Sequence, residues 1–257
     1  MSFAADQVAL ITGAASGIGA ATAEHLARAG VRRLVLVDRD ADGLAGLAAS
    51  LGAETLVRAH DVTDEAAWQA TEAAVHERFG RIDYAVVNAG VASGGPIADL
   101  DFAEWRRVLS INLDGAFLTL RTAMRLIKQS GQDGSIVAVA SAAGVKAESG
   151  IAAYGASKAG LIQLAKVAAK EGAPDGIRVN VILPGGVETP VWRSVPFFQD
   201  MIAQHGSERA AFDAMAKLAT PLGRYAVPEE IARLIATLLT TPTATGAALV
   251  VDGGYTL

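Results

Sequence analysis

Seven short apolar runs, each followed by a longer stretch with helical patterning, constrain this chain more than any other feature. They cover residues 8–11, 34–37, 55–58, 84–87, 135–139, 178–182 and 248–251. None shows the two-residue alternation of a strand with one wet face, so they read as strands buried on both faces. Residues 63–80 open with Thr63 and Asp64 as caps and close on Gly80. Residues 101–129 read as one long helical pattern opening with Asp101 and Glu104 at capping-box spacing, and Pro228 stands at the first position of another helix. The alternation specifies an α/β chain: one doubly wound Rossmann-type domain, residues 1–257, with a seven-stranded parallel sheet covered by helices on both faces. A chain of 257 residues, 51% hydrophobic, is enough for one such core, and neither a linker nor a fixed-period repeat divides it.

Residues 183–227 break the rhythm. Loops of that length are functional or disordered, and this one holds Trp192, Val195, Phe197, Phe198 and Met201, which argues for order. Two short helices are expected at 196–205 and 207–218. The segment is either a lid, about residues 188–220, or an insertion packed on the body. As a lid it offers Trp192, Phe197 and Phe198 as walls of a hydrophobic pocket. Of four scattered histidines, only His205 falls in it.

Gly13, Gly17 and Gly19 lie between the first strand and the first helix. Glycine reaches backbone angles that other residues avoid and lets a ligand approach the main chain, and the helix start that follows suits a pyrophosphate. Alone, the turn is weak evidence, since a tight bend with no ligand also accounts for it. Asp38 adds to it, ending the second strand about twenty residues on, where a carboxylate takes ribose hydroxyls. A 2′-phosphate ~4 Å from that carboxylate meets a repulsion of roughly 4 kcal/mol at an effective dielectric near 20. Ser16 brings no compensating charge, and Arg39 is expected to point to solvent or toward the adenine. NAD is therefore favoured over NADP. Tyr154 and Lys158 form an (i, i+4) pair on one helix face, where an ammonium lowers a tyrosine pKa that is ordinarily near 10.

A net charge of −5 and a pI near 5.4 argue against a nucleic-acid surface. The absence of cysteine excludes disulfides and thiolate metal sites. The opening "MSFAADQVALITG" lacks the marks of a leader, and no apolar run reaches the ~18 residues of a membrane span. A soluble cytoplasmic protein is expected.

Taken together the motifs resemble the short-chain dehydrogenase/reductase family over nearly the whole chain. "TGAASGIG", residues 12–19, resembles its cofactor turn and brings in Gly13, Ser16, Gly17, Ile18 and Gly19. Asp61 and Val62 in "HDVTD" stand where the family holds adenine, followed by "NAG" at Asn88, Ala89 and Gly90 and by Asn112 in "INLDG". Ser141 precedes Tyr154 by the family's spacing, and "PGGVET" carries Pro184, Gly185, Val187 and Thr189. Leu183 and Gly172 depart mildly from the family's usual residues, Leu183 with a bearing on the wall near the nicotinamide.

The resemblance implies an NAD(H)-dependent oxidoreductase that interconverts a secondary alcohol and a ketone by hydride transfer, needing no metal. Tyr154 is then the acid/base, Ser141 the donor to the substrate oxygen, and Lys158 both the group that lowers the tyrosine pKa and a ribose ligand. Asn112 holds a water that links Lys158 to solvent, while Thr189 and the backbone of Val187 fix the carboxamide. The apolar lid suggests a hydrophobic or cyclic substrate, with Glu148 facing either the pocket or solvent. The family implies a homotetramer. Two alternatives are a reductase of carrier-bound 3-oxoacyl chains and a non-catalytic nucleotide-binding protein on the same fold.

Overall fold

In the computed structural model, which describes residues 3–257, the seven runs become β1 (Val8–Thr12), β2 (Arg33–Asp38), β3 (Glu54–Ala59), β4 (Tyr84–Val87), β5 (Gly134–Val139), β6 (Ile177–Pro184) and β7 (Ala248–Val251). They pair in parallel throughout, in the order β3-β2-β1-β4-β5-β6-β7. Every residue of β1 and β5 is buried, whereas β3 and β7, at the two edges, reach solvent. The missing alternation thus has its expected cause: helices cover both faces of the central strands.

Those helices are α1 (Gly17–Arg28), α2 (Ala41–Ser50), α3 (Glu65–Phe79), α4 (Phe102–Leu109), α5 (Gly115–Ser130), α6 (Ala152–Gly172), α7 (Pro196–His205), α8 (Glu208–Ala219) and α9 (Pro228–Thr240). Successive side chains of β1 feed two cores: Val8 and Leu10 pack with Trp68, Leu126 and Leu161, while Ala9 and Ile11 pack with Leu26, Leu34 and Ile235. Asp64 caps α3 by accepting from the Ala67 N–H, and Gly80 ends it at φ 71°. Asp101 caps α4 by accepting from the Ala103 N–H, but Glu104 does not close a capping box. Its carboxylate is taken by the Arg107 guanidinium in two bonds of 2.7 Å.

The single helix expected over 101–129 is broken. A π-helical turn, Ser110–Asp114, separates α4 from α5 and carries the buried Asn112. At the start of α5, a Cβ on Gly115 would stand 2.6 Å from Val62 Cγ2, so the helix approaches that loop as only glycine allows. The end of α6 is similar: a side chain on Gly172 would meet the Ile177 carbonyl at 2.9 Å, which accounts for glycine at that departure from the family pattern.

Residues 190–219 hold a short 3₁₀ turn (Pro190–Ser194) followed by α7 and α8, close to expectation. This region has a small core of its own around Phe198, Phe212 and Tyr225, with Trp192 packed against it. Among the described residues no helix is long and apolar enough to cross a membrane.

Candidate active site

The chain runs outward from β1 to β3, then returns to place β4 on the other side of β1. A crevice opens at the carboxyl ends of the strands where the order reverses. Thr12 closes its floor. Its hydroxyl accepts from the N–H groups of Asn88 (3.0 Å) and Ala89 (3.2 Å), and Asn88 Nδ2 donates to the carbonyls of Thr12 (3.0 Å) and Gly13 (3.2 Å). Gly13 lies at φ 65°, and a Cβ there would stand 2.7 Å from Asn88 Nδ2. Gly17, at φ 54°, faces the Thr189 side chain across the mouth.

The cleft encloses about 1440 Å³. At one end Ser16, Ile18, Asp38, Arg39, Asp61 and Val62 line it. Gly13, Gly17, Asn88, Ala89 and Gly90 line the middle, opposite Pro184, Gly185, Val187 and Thr189. At the other end stand Ser141, Glu148, Tyr154, Lys158, Trp192 and Phe197.

Three expected site residues lie off the cleft wall. Gly19 packs beneath the turn, where any Cβ would overlap the Gly13 carbonyl, so its work is helix-to-strand packing. Asn112 is fully buried; its Oδ1 accepts from the Val91 N–H (2.8 Å) and its Nδ2 donates to the Val91 carbonyl (3.0 Å) and Ser157 Oγ (3.1 Å). Phe198 is wholly buried in the lid's own core, with its ring 4.6 Å from that of Phe212, and is not a pocket wall. Its neighbour Phe197 takes the open side of α7 and lines the cleft. Leu183, expected to shape the nicotinamide wall, is buried in the main core, and His205 is exposed outside the cleft.

Asp38 is fixed by its surroundings: Oδ2 accepts from the Ala15 N–H (3.0 Å) and Oδ1 from the Asp40 N–H (3.1 Å). The carboxylate ties the glycine turn to the end of β2 while facing the cleft. Arg39, exposed beside it, makes no ion pair among the described residues.

Ser141 Oγ accepts from the Ala143 N–H (3.1 Å) and lines the cleft beside the Tyr154 phenol. Burial pushes Tyr154 above the ordinary tyrosine value, and the neighbouring Ser141 hydroxyl opposes this. The expected lowering by Lys158 is not seen. The Lys158 ammonium donates to the Val139 carbonyl (3.0 Å) and stands 5.7 Å from the Tyr154 ring centroid, and its own burial pushes it down to about 8. Tyr154 is therefore a phenol at neutral pH, a proton donor before it is a base.

Sequence reasoning missed part of the wall. Lys146 and Tyr255 line the same end of the cleft as Glu148, as do Arg107 and Met215. Tyr255 follows the Asp252–Gly254 turn at the end of the chain, and its meeting with Lys146 across 109 residues leaves no local signal.

The arrangement fits a nicotinamide dinucleotide. The glycine turn admits a close backbone approach, the first turn of α1 presents N–H groups without intrahelical acceptors, and a carboxylate stands at the end of β2.

Comparison with known proteins agrees. A family model described as enoyl-(acyl carrier protein) reductase matches residues 13–256. The chain is 40% identical to cis-4-hydroxycyclohexanecarboxylate dehydrogenase of Sinomonas cyclohexanicum over 98% of this chain and 97% of that one. Among solved structures, L-sorbose reductase from Gluconobacter frateurii, complexed with NADPH and L-sorbose, superposes with a TM-score of 0.91 at 32% identity, covering 99% and 98% of the two chains. A short-chain type dehydrogenase/reductase from Mycobacterium marinum gives 0.87 at 33% identity, covering 97% and 95%.

Proposed function

Since this chain belongs to the short-chain dehydrogenase/reductase family, whose members bind a nicotinamide cofactor, we propose that it is an NAD(H)-dependent enzyme interconverting a secondary alcohol and a ketone, on a hydrophobic or cyclic substrate. The observation that carries this reading is the grouping of Ser141, Tyr154 and a buried Lys158 at one end of a cleft that also contains Asp38. The name of the Sinomonas relative, a dehydrogenase of a hydroxylated ring, supports a cyclic substrate.

In this reading Gly13, Ser16, Gly17 and Ile18 seat the pyrophosphate. Asp38 and Arg39 flank the adenosine ribose, Asp61 and Val62 the adenine, and Asn88, Ala89, Gly90, Pro184, Gly185, Val187 and Thr189 the nicotinamide half. Residues 1–140 then form the cofactor half and residues 188–220 the substrate lid. The cofactor, when bound, supplies or accepts the hydride. Ser141 Oγ holds the substrate oxygen, and the Tyr154 phenol gives that oxygen its proton in reduction or, as phenolate, takes it in oxidation. General acid–base help of this kind contributes typically 10²–10⁴-fold. Lys158 holds the cofactor ribose and supports proton exchange at Tyr154. Asn112, locked to Val91 and Ser157, is a positioning residue at the centre of the π turn. NAD is preferred because Asp38 already carries negative charge where the extra phosphate of NADP would sit. A cytoplasmic homotetramer completes the reading.

The test is absorbance at 340 nm with NAD and NADP offered separately against cyclic and acyclic secondary alcohols, for the wild type and Tyr154→Phe. NAD-selective turnover, lost by at least about 100-fold in the variant with NADH binding retained, is expected. Turnover undiminished in Tyr154→Phe would overturn the mechanism, and preference for NADP would overturn the role given to Asp38. The name of the matched family model favours a second reading, reduction of carrier-bound acyl chains. Turnover of a 3-oxoacyl chain only when attached to its carrier would select it.

A further inference from the structure

Beyond β7 the chain turns back over the cleft. Asp252 organises this turn: its carboxylate accepts from the N–H groups of Gly254 (2.9 Å) and Thr256 (2.8 Å). The turn is tied to the root of the lid, where the Leu222 N–H donates to the Gly253 carbonyl at 3.1 Å. Tyr255 is thereby brought onto the cleft wall against Lys146 and Glu148.

The contacts among these three are specific. The Lys146 ammonium donates to the Tyr255 carbonyl at 2.6 Å and lies 3.9 Å from the centroid of the Tyr255 ring. Glu148 Oε1 is 3.5 Å from the same ammonium, and burial together with the nearby Glu148 carboxylate raises the pKa of the Tyr255 phenol. The ammonium has three N–H donors, of which one is committed to a carbonyl, and the ion pair with Glu148 is longer than a close charge-assisted bond. Lys146 follows the short turn after Ser141 (its N–H donates to the Ala142 carbonyl at 2.9 Å), so it stands on the wall next to the reacting end. Of the other cations lining the cleft here, Arg107 has its guanidinium held by both oxygens of Glu104, and the buried Lys158 donates to the Val139 carbonyl and is given to the cofactor ribose in the reading above. Lys146 thus lines the cleft beside Ser141 and Tyr154 with donor capacity to spare, and unlike Lys158 it is not assigned to the cofactor ribose.

We propose that Lys146, set by Tyr255 and Glu148, is a specificity-determining residue that receives a carboxylate borne by the substrate away from its reacting carbon. The substrate class is thus a hydroxy- or oxo-carboxylate on an apolar, ring-sized body. This rests on the alcohol/ketone reading above. Tyr255 acts as a positioning residue: its carbonyl and ring hold the ammonium at the wall. Glu148 opposes the anion and keeps the cluster neutral when no carboxylate is bound.

The test uses a matched pair, cis-4-hydroxycyclohexanecarboxylate and cyclohexanol, which share ring and hydroxyl and differ in the carboxylate. The wild type is expected to favour the former in kcat/KM by about tenfold or more, the worth of one hydrogen bond to a charged group. Lys146→Met should bring the ratio close to one, chiefly through KM, and Glu148→Gln should raise it. A second measurement needs no turnover: calorimetric binding of cyclohexanecarboxylate and of neutral cyclohexylmethanol to the NADH complex. Selective binding of the carboxylate, lost in Lys146→Met, supports the proposal even if no alcohol is oxidised. Equal binding of the two probes, or a carboxylate preference that survives Lys146→Met, overturns it. Turnover of cyclohexanol without that preference overturns this inference alone and leaves the alcohol/ketone reading standing.

Discussion

Lys158 carries a buried ammonium held by one carbonyl, and that carries a pH signature. Its ordinary value is 10.5 and its value in the fold about 8. Below pH 8 the lysine is protonated in both folded and unfolded chains, and the fold bears the whole cost of burying it, about 3 kcal/mol. Between pH 8 and 10.5 the unfolded chain holds a proton that the folded one has released, so this residue's contribution to stability rises with pH. Denaturant melts from pH 7 to 10.5 should show wild type gaining on Lys158→Met by up to that amount; parallel curves would contradict the burial argument. Tyr154 is displaced the other way, so alcohol oxidation, which needs the phenolate, should quicken with pH beyond 8 while ketone reduction should not; a flat oxidation profile from pH 7 to 10 would count against Tyr154 as the base. The Tyr154 and Lys158 pair was legible because helical spacing is local. Which of Phe197 and Phe198 faces the cleft was not, because that depends on how the lid's small core seats a helix only ten residues long. The Lys146 and Tyr255 contact was invisible for the same reason in stronger form, being purely tertiary.

The secondary elements were read closely wherever burial on both faces or a capping side chain marked them. The exception is instructive. Residues 101–129 keep a helical hydrophobic pattern straight through the π turn, because one wider turn shifts the phase without removing it. The C-terminal end of α9 was also silent in sequence, since its cap comes from β6. Arg178 donates to the carbonyls of Leu239 (2.6 Å), Thr241 (2.7 Å) and Leu238 (3.2 Å), satisfying groups that a helix end leaves open. Arg178→Ala should lower stability by about 2–3 kcal/mol, as loss of charge-assisted bonds to partly buried acceptors does. Loss of less than about 0.5 kcal/mol, a typical surface effect, would show that water replaces the guanidinium without penalty.

At the scale of the molecule, β7 ends the sheet with an open edge, and Val250 is 41% exposed there. On another face Phe117 of α5 is 46% exposed. Large apolar groups at an unpaired edge and on a long helix fit the proposed tetramer, in which each surface meets its own copy. Light scattering at micromolar concentration should give four times the 26.3 kDa of one chain, and Val250→Lys should reduce it to two; a monomeric wild type would refute the assembly. The Thr12 clasp has a consequence for how such a chain comes into being. The glycine turn is finished only when Asn88, 76 residues further along, has returned to Thr12 across the sheet. A nascent chain that has made β1, β2 and β3 therefore has a half-built seat and a β1 edge still open to the wrong strand. Pairing of such long sequence separation is slow and exposed to misassembly. The part of the chain made first becomes able to hold its ligand only after the middle has arrived.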